Sequence, residues 1–372
     1  MTDINIDKNV YLLGAGFSKE IGLPLQDDFL LVAKEVYFKN PEKYKHFKTV
    51  FDYQDELSKM RKFLNYPLLN LEHLFNLIEM NSFYSKGGDV TKIKEDFTKL
   101  ICDVLIDRTP NPFTHDSSEF SKIDSRFFKY LSFLGLFIKD DKYELQTHQD
   151  TIISFNYDLV LEATACIYNW GRSKIDKFKE SSNLLSFNTT FEKENIIVEN
   201  INPYFTKDIP NSYFPPNAIY QDNETSIKLL KLHGSINWKT ADNKTFIVPP
   251  TWNKSNPQIR KLWKIAYEEI KNAKRIIVLG YSFPETDIYV KSLLALAVNE
   301  NKILQNIFFI NPNKDIVRQA CLSLLDKHFE KYCDYKEWKF SEFMEANIGR
   351  EFIKSHINRG DNIDINIMTK IL

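Results

Sequence analysis

The stretch 10-VYLLGAGFSKEIGLP-24 joins an apolar run to two glycines one residue apart, Gly14 and Gly16, then to Ser18 and a charged, helix-like segment. A buried strand that turns through a glycine loop into a helix is the opening of a dinucleotide-binding unit. Lys19 stands where the usual fingerprint has its third glycine. Four further runs share the first one's character: 151-TIISFN-156, 228-KLLKLHG-234, 275-RIIVLGYS-282 and 307-IFFIN-311. Each is short and ends in a glycine or a polar residue. Continuous rather than alternating apolarity marks strands buried on both faces, as in a parallel sheet covered by helices. The expected fold class is α/β: a Rossmann-like open parallel sheet with helices on both faces, plus a large helical insertion between the first two strands.

The insertion follows from spacing. More than a hundred residues separate the first two runs, and they carry helical periodicity in 28-DFLLVAKEVYF-38, 71-LEHLFNLIEM-80, 90-VTKIKEDFTKLICDVLI-106 and 124-DSRFFKYLSFLGLFI-138. A plain crossover needs far fewer. The expected organisation is a sheet domain over 1–24 and 148–315, a helical insertion over 25–147, an irregular Asn-, Ser- and Pro-rich loop over 170–226, and a C-terminal helical tail over 316–372.

Composition narrows the partners. Forty-nine basic residues against fifty acidic ones leave a net charge of −1, so there is no global pull toward nucleic acid or an anionic membrane. Cys102, Cys166, Cys321 and Cys333 are scattered, with no C-x-x-C spacing for zinc or redox chemistry. The N-terminus carries no signal pattern, and no apolar run approaches the ~20 residues of a membrane span. A soluble, cytoplasmic protein without membrane or direct nucleic-acid contacts is expected.

Open parallel sheets bind ligands beyond the carboxyl ends of their strands, so the residues there are the candidates. In the first turn, Gly14 and Gly16 let the backbone approach a pyrophosphate, and the Phe17 and Ser18 amides open a helix whose positive end favours anions. A tight turn without a ligand has the same residues. No acidic residue ends a strand about 20 positions later to hold an adenosine ribose, which disfavours an ordinary dehydrogenase. In 154-SFNYD-158, Asn156 can orient a hydroxyl or a water, and Asp158 can either stabilise positive charge or cap the following helix. His233, in 232-LHGSINW-238, stands directly at a buried strand end, where an imidazole can take a proton at neutral pH or serve a structural bond. Gly280 and Ser282 end the fourth run and Asn311 the fifth. Pro284 and Asp287 suit a helix start. Turn and cap chemistry explains each motif singly, whereas one shared ligand explains all five at one sheet edge.

The ordered set GAGFS, SFNYD, KLHGSINW, 248-VPPTWNK-254 and GYSFPETD resembles the sirtuin-like NAD-binding family over about residues 8–315, in particular its bacterial antiphage NAD hydrolase branch. The resemblance implies that Gly14, Ala15, Gly16, Phe17 and Ser18 cradle the pyrophosphate, and that Asn156 and Asp158 bind the nicotinamide end. It further implies that His233 is the catalytic base and that Gly280, Ser282 and Asn311 line the adenosine side. Deacylating sirtuins carry a zinc ribbon of two C-x-x-C pairs after the histidine. Here that region holds no cysteine, so zinc is not expected and the protein-substrate platform is in doubt.

The implied activity is that of an NAD glycohydrolase, with NAD as substrate, giving nicotinamide and ADP-ribose. Asn156, His233 and Asp158 are its catalytic residues, and no metal takes part. Stand-alone relatives of this size resemble partners of HerA-type ATPases, so a homo-oligomer or a hetero-oligomer with such an ATPase is expected. The alternatives are an ADP-ribosyltransferase or deacylase, which needs an acceptor groove, and a non-catalytic NAD or ADP-ribose sensor, which needs no positioned base.

Overall fold

The computed structural model describes residues 8–59, 70–84, 88–115, 121–139, 144–145, 150–173, 185–189, 196–199, 226–248 and 257–345. Strand β1 (Asn9–Leu13) leads through a single-turn helix, α1 (Ala15–Ser18), into a long excursion. There α2 (Phe29–Lys39), α3 (Phe47–Lys59), α4 (Leu71–Tyr84) and α5 (Gly88–Arg108) precede a ribbon of β2 (Phe113–His115) and β3 (Ser121–Ile123). Helix α6 (Phe128–Gly135) and a second ribbon, β4 (Ile138–Lys139) with β5 (Glu144–Leu145), complete it. The chain returns as β6 (Thr151–Ser154), α7 (Val160–Ser173), β7 (Phe187–Asn188), β8 (Ile196–Val198), β9 (Ile227–Lys231), β10 (Gly234–Thr240) and β11 (Thr245–Ile247). It ends with α8 (Pro257–Lys271), β12 (Arg275–Leu279), α9 (Ile288–Glu300), β13 (Asn306–Ile310), α10 (Lys314–Leu322), β14 (Cys333–Lys336) and α11 (Phe340–Glu345).

Seven strands form one sheet in the order β14-β13-β12-β1-β6-β9-β7, with every neighbouring pair parallel. Without the short edge strand β7, this is the doubly wound order of a Rossmann-like sheet, and the order reverses between β1 and β12. The chain leaves β1 for β6 and β9 on one side, then crosses to β12, β13 and β14 on the other. The turns after β1 and β12 therefore lie side by side at the reversal. All five apolar runs are strands of this sheet.

Their continuous apolarity has a direct cause. Tyr11 and Leu13 of β1, Ile152 of β6 and Ile277 and Leu279 of β12 point into one core, while Val10, Leu12, Ile153, Ile276 and Val278 point into the other. The first core also contains Leu74 and Phe75 of α4, Leu105 of α5 and Phe133 of α6. The inserted helices thus share their core with one face of the sheet instead of enclosing one of their own. Helices α8 and α9 cover the opposite face through Leu262, Ala266, Leu294 and Val298.

The segment beyond 316, read as a helical tail, differs: β14 extends the sheet at its edge, parallel to β13. Its sequence, CDYK, is half-buried throughout and has no apolar run, because an edge strand is held by the ladder bonds of one neighbour more than by burial. The tail past residue 345, most of the 170–226 loop and the 249–254 part of VPPTWNK lie outside the described residues.

Candidate active site

The site grows from the close approach of the β1 and β12 turns. The Gly14 amide donates to Leu279 O at 3.0 Å and the Gly16 amide to Gly280 O at 2.9 Å. A Cβ on Gly14 would stand 2.5 Å from the Tyr281 Cα, and one on Gly16 would stand 2.8 Å from the Gly280 Cα. Gly280 has a φ of +64°, the left-handed region that glycine adopts without strain. These glycines are thus required by backbone meeting backbone. The Phe17 amide is also taken, by Gly14 O at 3.0 Å. The loop therefore offers an anion fewer donors than its sequence implies.

Asn156 and Asp158 follow β6. The Asn156 side-chain amide donates to Gly14 O at 2.9 Å and to Ser18 Oγ at 3.3 Å. Because a carbonyl can only accept, this fixes the NH2 group on the loop and leaves Oδ1 with capacity to accept from a hydroxyl or water. Asp158 accepts from the Val160 amide at 3.0 Å, so it does cap α7, and it is also bonded by the Ser18 hydroxyl. Ser18 bridges the two. Burial pushes the Asp158 carboxyl above the ordinary carboxylate range, opposed by the Lys231 ammonium and by the Val160 and Ser18 bonds. Lys231 is itself buried at the end of β9, donating to the Asp158 backbone oxygen, to Glu162 at 3.0 Å and to Ser235 at 2.7 Å.

His233 lies just beyond β9. Its Nδ1 is 3.2 Å from Phe155 O, and its Nε2 is 3.5 Å from Asp287 Oδ2. Asp287 caps α9 through the Val290 amide and accepts from the Tyr281 hydroxyl at 2.7 Å. Burial, reinforced by the Asp287 and Glu72 charges, pushes the Tyr157 and Tyr281 phenols well above their usual range, so both stay protonated. Asn311 ties the β13 turn to its neighbours, its amide reaching Tyr281 O at 3.4 Å and its backbone N–H donating to Lys336 O at 3.1 Å.

Asn156, Asp158, His233, Tyr281, Asp287 and Asn311 line one cavity of about 580 Å³, within the ~300–1,000 Å³ of small-molecule sites. Of the residues expected from sequence, Ala15, Gly16, Ser18, Asn156, Asp158, His233, Gly280, Ser282 and Asn311 line it together. Gly14 lies behind its wall, and the Phe17 ring turns into the core against Tyr130, Phe133 and Phe340.

Sequence reasoning missed other lining groups. The sequence marks Asp287 only as a helix start. Glu72 of α4 is buried in the wall and accepts from Gln26 and Thr286. The one local sign was an acid on a helical stretch whose Leu71, Leu74, Phe75 and Ile78 are buried. Trp338, Lys339 and Phe340 reach the cavity from the segment after β14; no local pattern marked them. Among the described residues there is no group of three or more His, Cys, Asp and Glu side chains that could hold a metal ion. No helix of the described residues is long and apolar enough to cross a membrane.

No family model matches the chain, and no curated protein matches it. Among solved structures, the chain is similar to the ADP-ribose complex of a mutant Sir2 homologue, with 12% identity over 95% of this chain and 98% of that one, at a TM-score of 0.39. It is likewise similar to a Sir2 homologue in complex with NAD, with 14% identity over 94% of this chain and 90% of that one, at a TM-score of 0.35. At this level of superposition the likeness is too loose to carry residue roles from those proteins to this one.

Proposed function

We propose that the chain is a sirtuin-like NAD glycohydrolase that cuts the bond between nicotinamide and ribose, releasing nicotinamide and ADP-ribose. The observation that carries this reading is the meeting of Asn156, Asp158 and His233 in one cavity at the strand-order reversal. A sensor needs affinity alone, without a histidine whose Nδ1 meets a backbone carbonyl and whose Nε2 faces a carboxylate.

The chemistry follows from those groups. The pyridinium nitrogen leaves with the bonding pair as neutral nicotinamide, and the ribose is left as an oxocarbenium-like species at C1′. Asp158 supports that charge, and Asn156 Oδ1 orients the water or the ribose hydroxyls. Water adds at C1′ and passes a proton to His233 Nε2, which returns it to solvent. The purified protein, incubated with NAD and analysed by chromatography, is expected to yield nicotinamide and ADP-ribose. Asn156→Ala and His233→Ala are expected to abolish this while leaving the fold intact. Full cleavage by both variants overturns the assignment. Label from NAD appearing on protein would instead indicate a transferase, and binding without turnover a sensor.

An NAD hydrolase without control would poison its own cell. We therefore propose a cytoplasmic, gated effector of antiphage defence, active as a homo-oligomer or together with a HerA-type ATPase. The composition of the cavity supports a gate: Leu71, Glu72 and Phe75 of α4 and Ile101 and Leu105 of α5 form part of its wall, so movement of the inserted helices changes the site. Mass measurement of the chain, alone and with its neighbouring gene product, tests this. A strictly monomeric and constitutively active enzyme contradicts it.

A further inference from the structure

His233 and Asp287 form a buried pair, 4% and 1% exposed, that the cap role of Asp287 does not explain. Phe155 O lies 3.2 Å from His233 Nδ1, and a carbonyl only accepts, so Nδ1 carries a hydrogen. Nε2 is then the atom that gains or loses the second proton, and it faces Asp287 Oδ2 at 3.5 Å. That separation is an ion-pair distance, longer than a good hydrogen bond. In a neutral ring the Nε2 lone pair would sit close to an anionic oxygen. A protonated ring turns the same contact into attraction.

We propose that Asp287 is the positioning partner of His233, holding the imidazole in place and stabilising the imidazolium that forms when Nε2 takes a proton. The carboxylate is fixed for this task. The Tyr281 hydroxyl donates to the same Oδ2 at 2.7 Å, the Val290 amide reaches Oδ1 at 3.5 Å, and the adjacent Thr286 donates to Glu72. The ring in turn is flanked by Phe155, Tyr157 and Trp263, with centroids at 5.7, 6.3 and 6.3 Å.

Among the described residues, the titratable groups that share the cavity with the pair are Tyr157 and Asp158 from the β6–α7 turn, Tyr281 from the β12–α9 turn, Glu72 from α4, Lys19, Glu20 and Asp27 from the segment after β1, and Lys339 from the segment after β14. Both phenols stay neutral. Lys231 is turned to Glu162 and Ser235. Among the described residues, Asp287 is the carboxylate in ion-pair contact with the ring.

Asparagine separates the two roles of Asp287. It caps a helix as well as aspartate does and can accept from the Tyr281 hydroxyl, but it carries no charge. The test is Asp287→Asn, read by imidazole NMR of the whole protein, with His233→Ala to assign the resonance. The His233 midpoint is expected to fall by about 1–3 pH units with the circular dichroism unchanged. If Asp287→Asn fails to fold, Asp287→Ser, another capping residue, is expected to give the same shift. An unchanged midpoint overturns the pairing whatever the activity. The catalytic consequence rests on the hydrolase reading: the acidic limb of the kcat profile for NAD cleavage moves to lower pH and the plateau drops about 100-fold, with KM little changed. An unaltered kcat profile beside a shifted midpoint overturns that catalytic role. A wild-type protein that shows the expected titration but cleaves no NAD upholds the pair and overturns the hydrolase.

Discussion

Replacing Gly14 with alanine tests whether the glycine loop is built for its neighbour. The new methyl would stand 2.5 Å from Tyr281 Cα and 2.6 Å from Gly280 O, both backbone atoms that no side-chain rotation can move. The two turns must separate, and three bonds span or adjoin the gap: Gly14 N to Leu279 O, Gly16 N to Gly280 O, and Asn156 Nδ2 to Gly14 O. Overpacking of this kind costs about 1–3 kcal/mol, and weakening two or three bonds adds ~0.5–1.5 kcal/mol each, for a total of about 2–7 kcal/mol. Gly280→Ala opens the same gap from the other side, its Cβ meeting Phe17 N at 2.3 Å, and adds ~1–2 kcal/mol for a left-handed residue with a side chain. Because one separation relieves both clashes, the double variant is expected to cost about 1–2 kcal/mol less than the two single costs together. Urea unfolding followed by circular dichroism measures all three. Strict additivity, or a Gly14→Ala cost below ~0.5 kcal/mol, would refute the reasoning.

Lys231→Met strands Glu162 in the interior and is expected to destabilise by ~3–5 kcal/mol, whereas the double variant with Glu162→Leu recovers most of that in the same unfolding assay. At the opposite end of the sheet, burial pushes Glu269 up, but Lys8, Lys228 and Thr151 outweigh it and hold the carboxyl below its usual range. Its contribution is therefore present above the unfolded pKa of about 4.3 and lost as pH falls through the folded value, so Glu269→Gln should flatten the acid limb of the Tm profile below about pH 5. Glu72→Ala removes the acceptor shared by Gln26 and Thr286 and should raise amide exchange in α4 and in the 280–290 turn about tenfold or more, read by mass spectrometry.

The five strand runs were legible because a strand buried on both faces needs no partner to declare itself: every side chain in VYLL or IIVL goes to one core or the other. Edge strands give no such sign. β14, with the sequence CDYK, is recognisable only from its register against β13. Glycine spacing was legible too, but its cause was not, since a missing Cβ reads the same whether it makes room for a phosphate or for Tyr281. Asp287 shows the limit most clearly. A short acid after Pro284 and before an apolar helix announces a cap, and it is one. Nothing near it in the chain says that His233 stands against it.

That contact comes from topology. The order of strands reverses between β1 and β12, which brings the 14–18 turn against the 280–287 turn, and β9 delivers His233 to the same edge two strands away. A doubly wound sheet of this order gathers those three chain segments whatever residues they carry. The fold therefore accounts for where the residues meet, and only their identities account for the chemistry. An asparagine with its NH2 locked by Gly14 O, a carboxylate backed by Lys231, and a histidine facing Asp287 are more specific than turn and cap chemistry requires. α4 adds Glu72 to this edge from the insertion, beside Thr286 and hence next to Asp287. Displacement of α4 would thus remove a brace from the turn that faces His233, which is where a gate acting through the inserted helices would take effect.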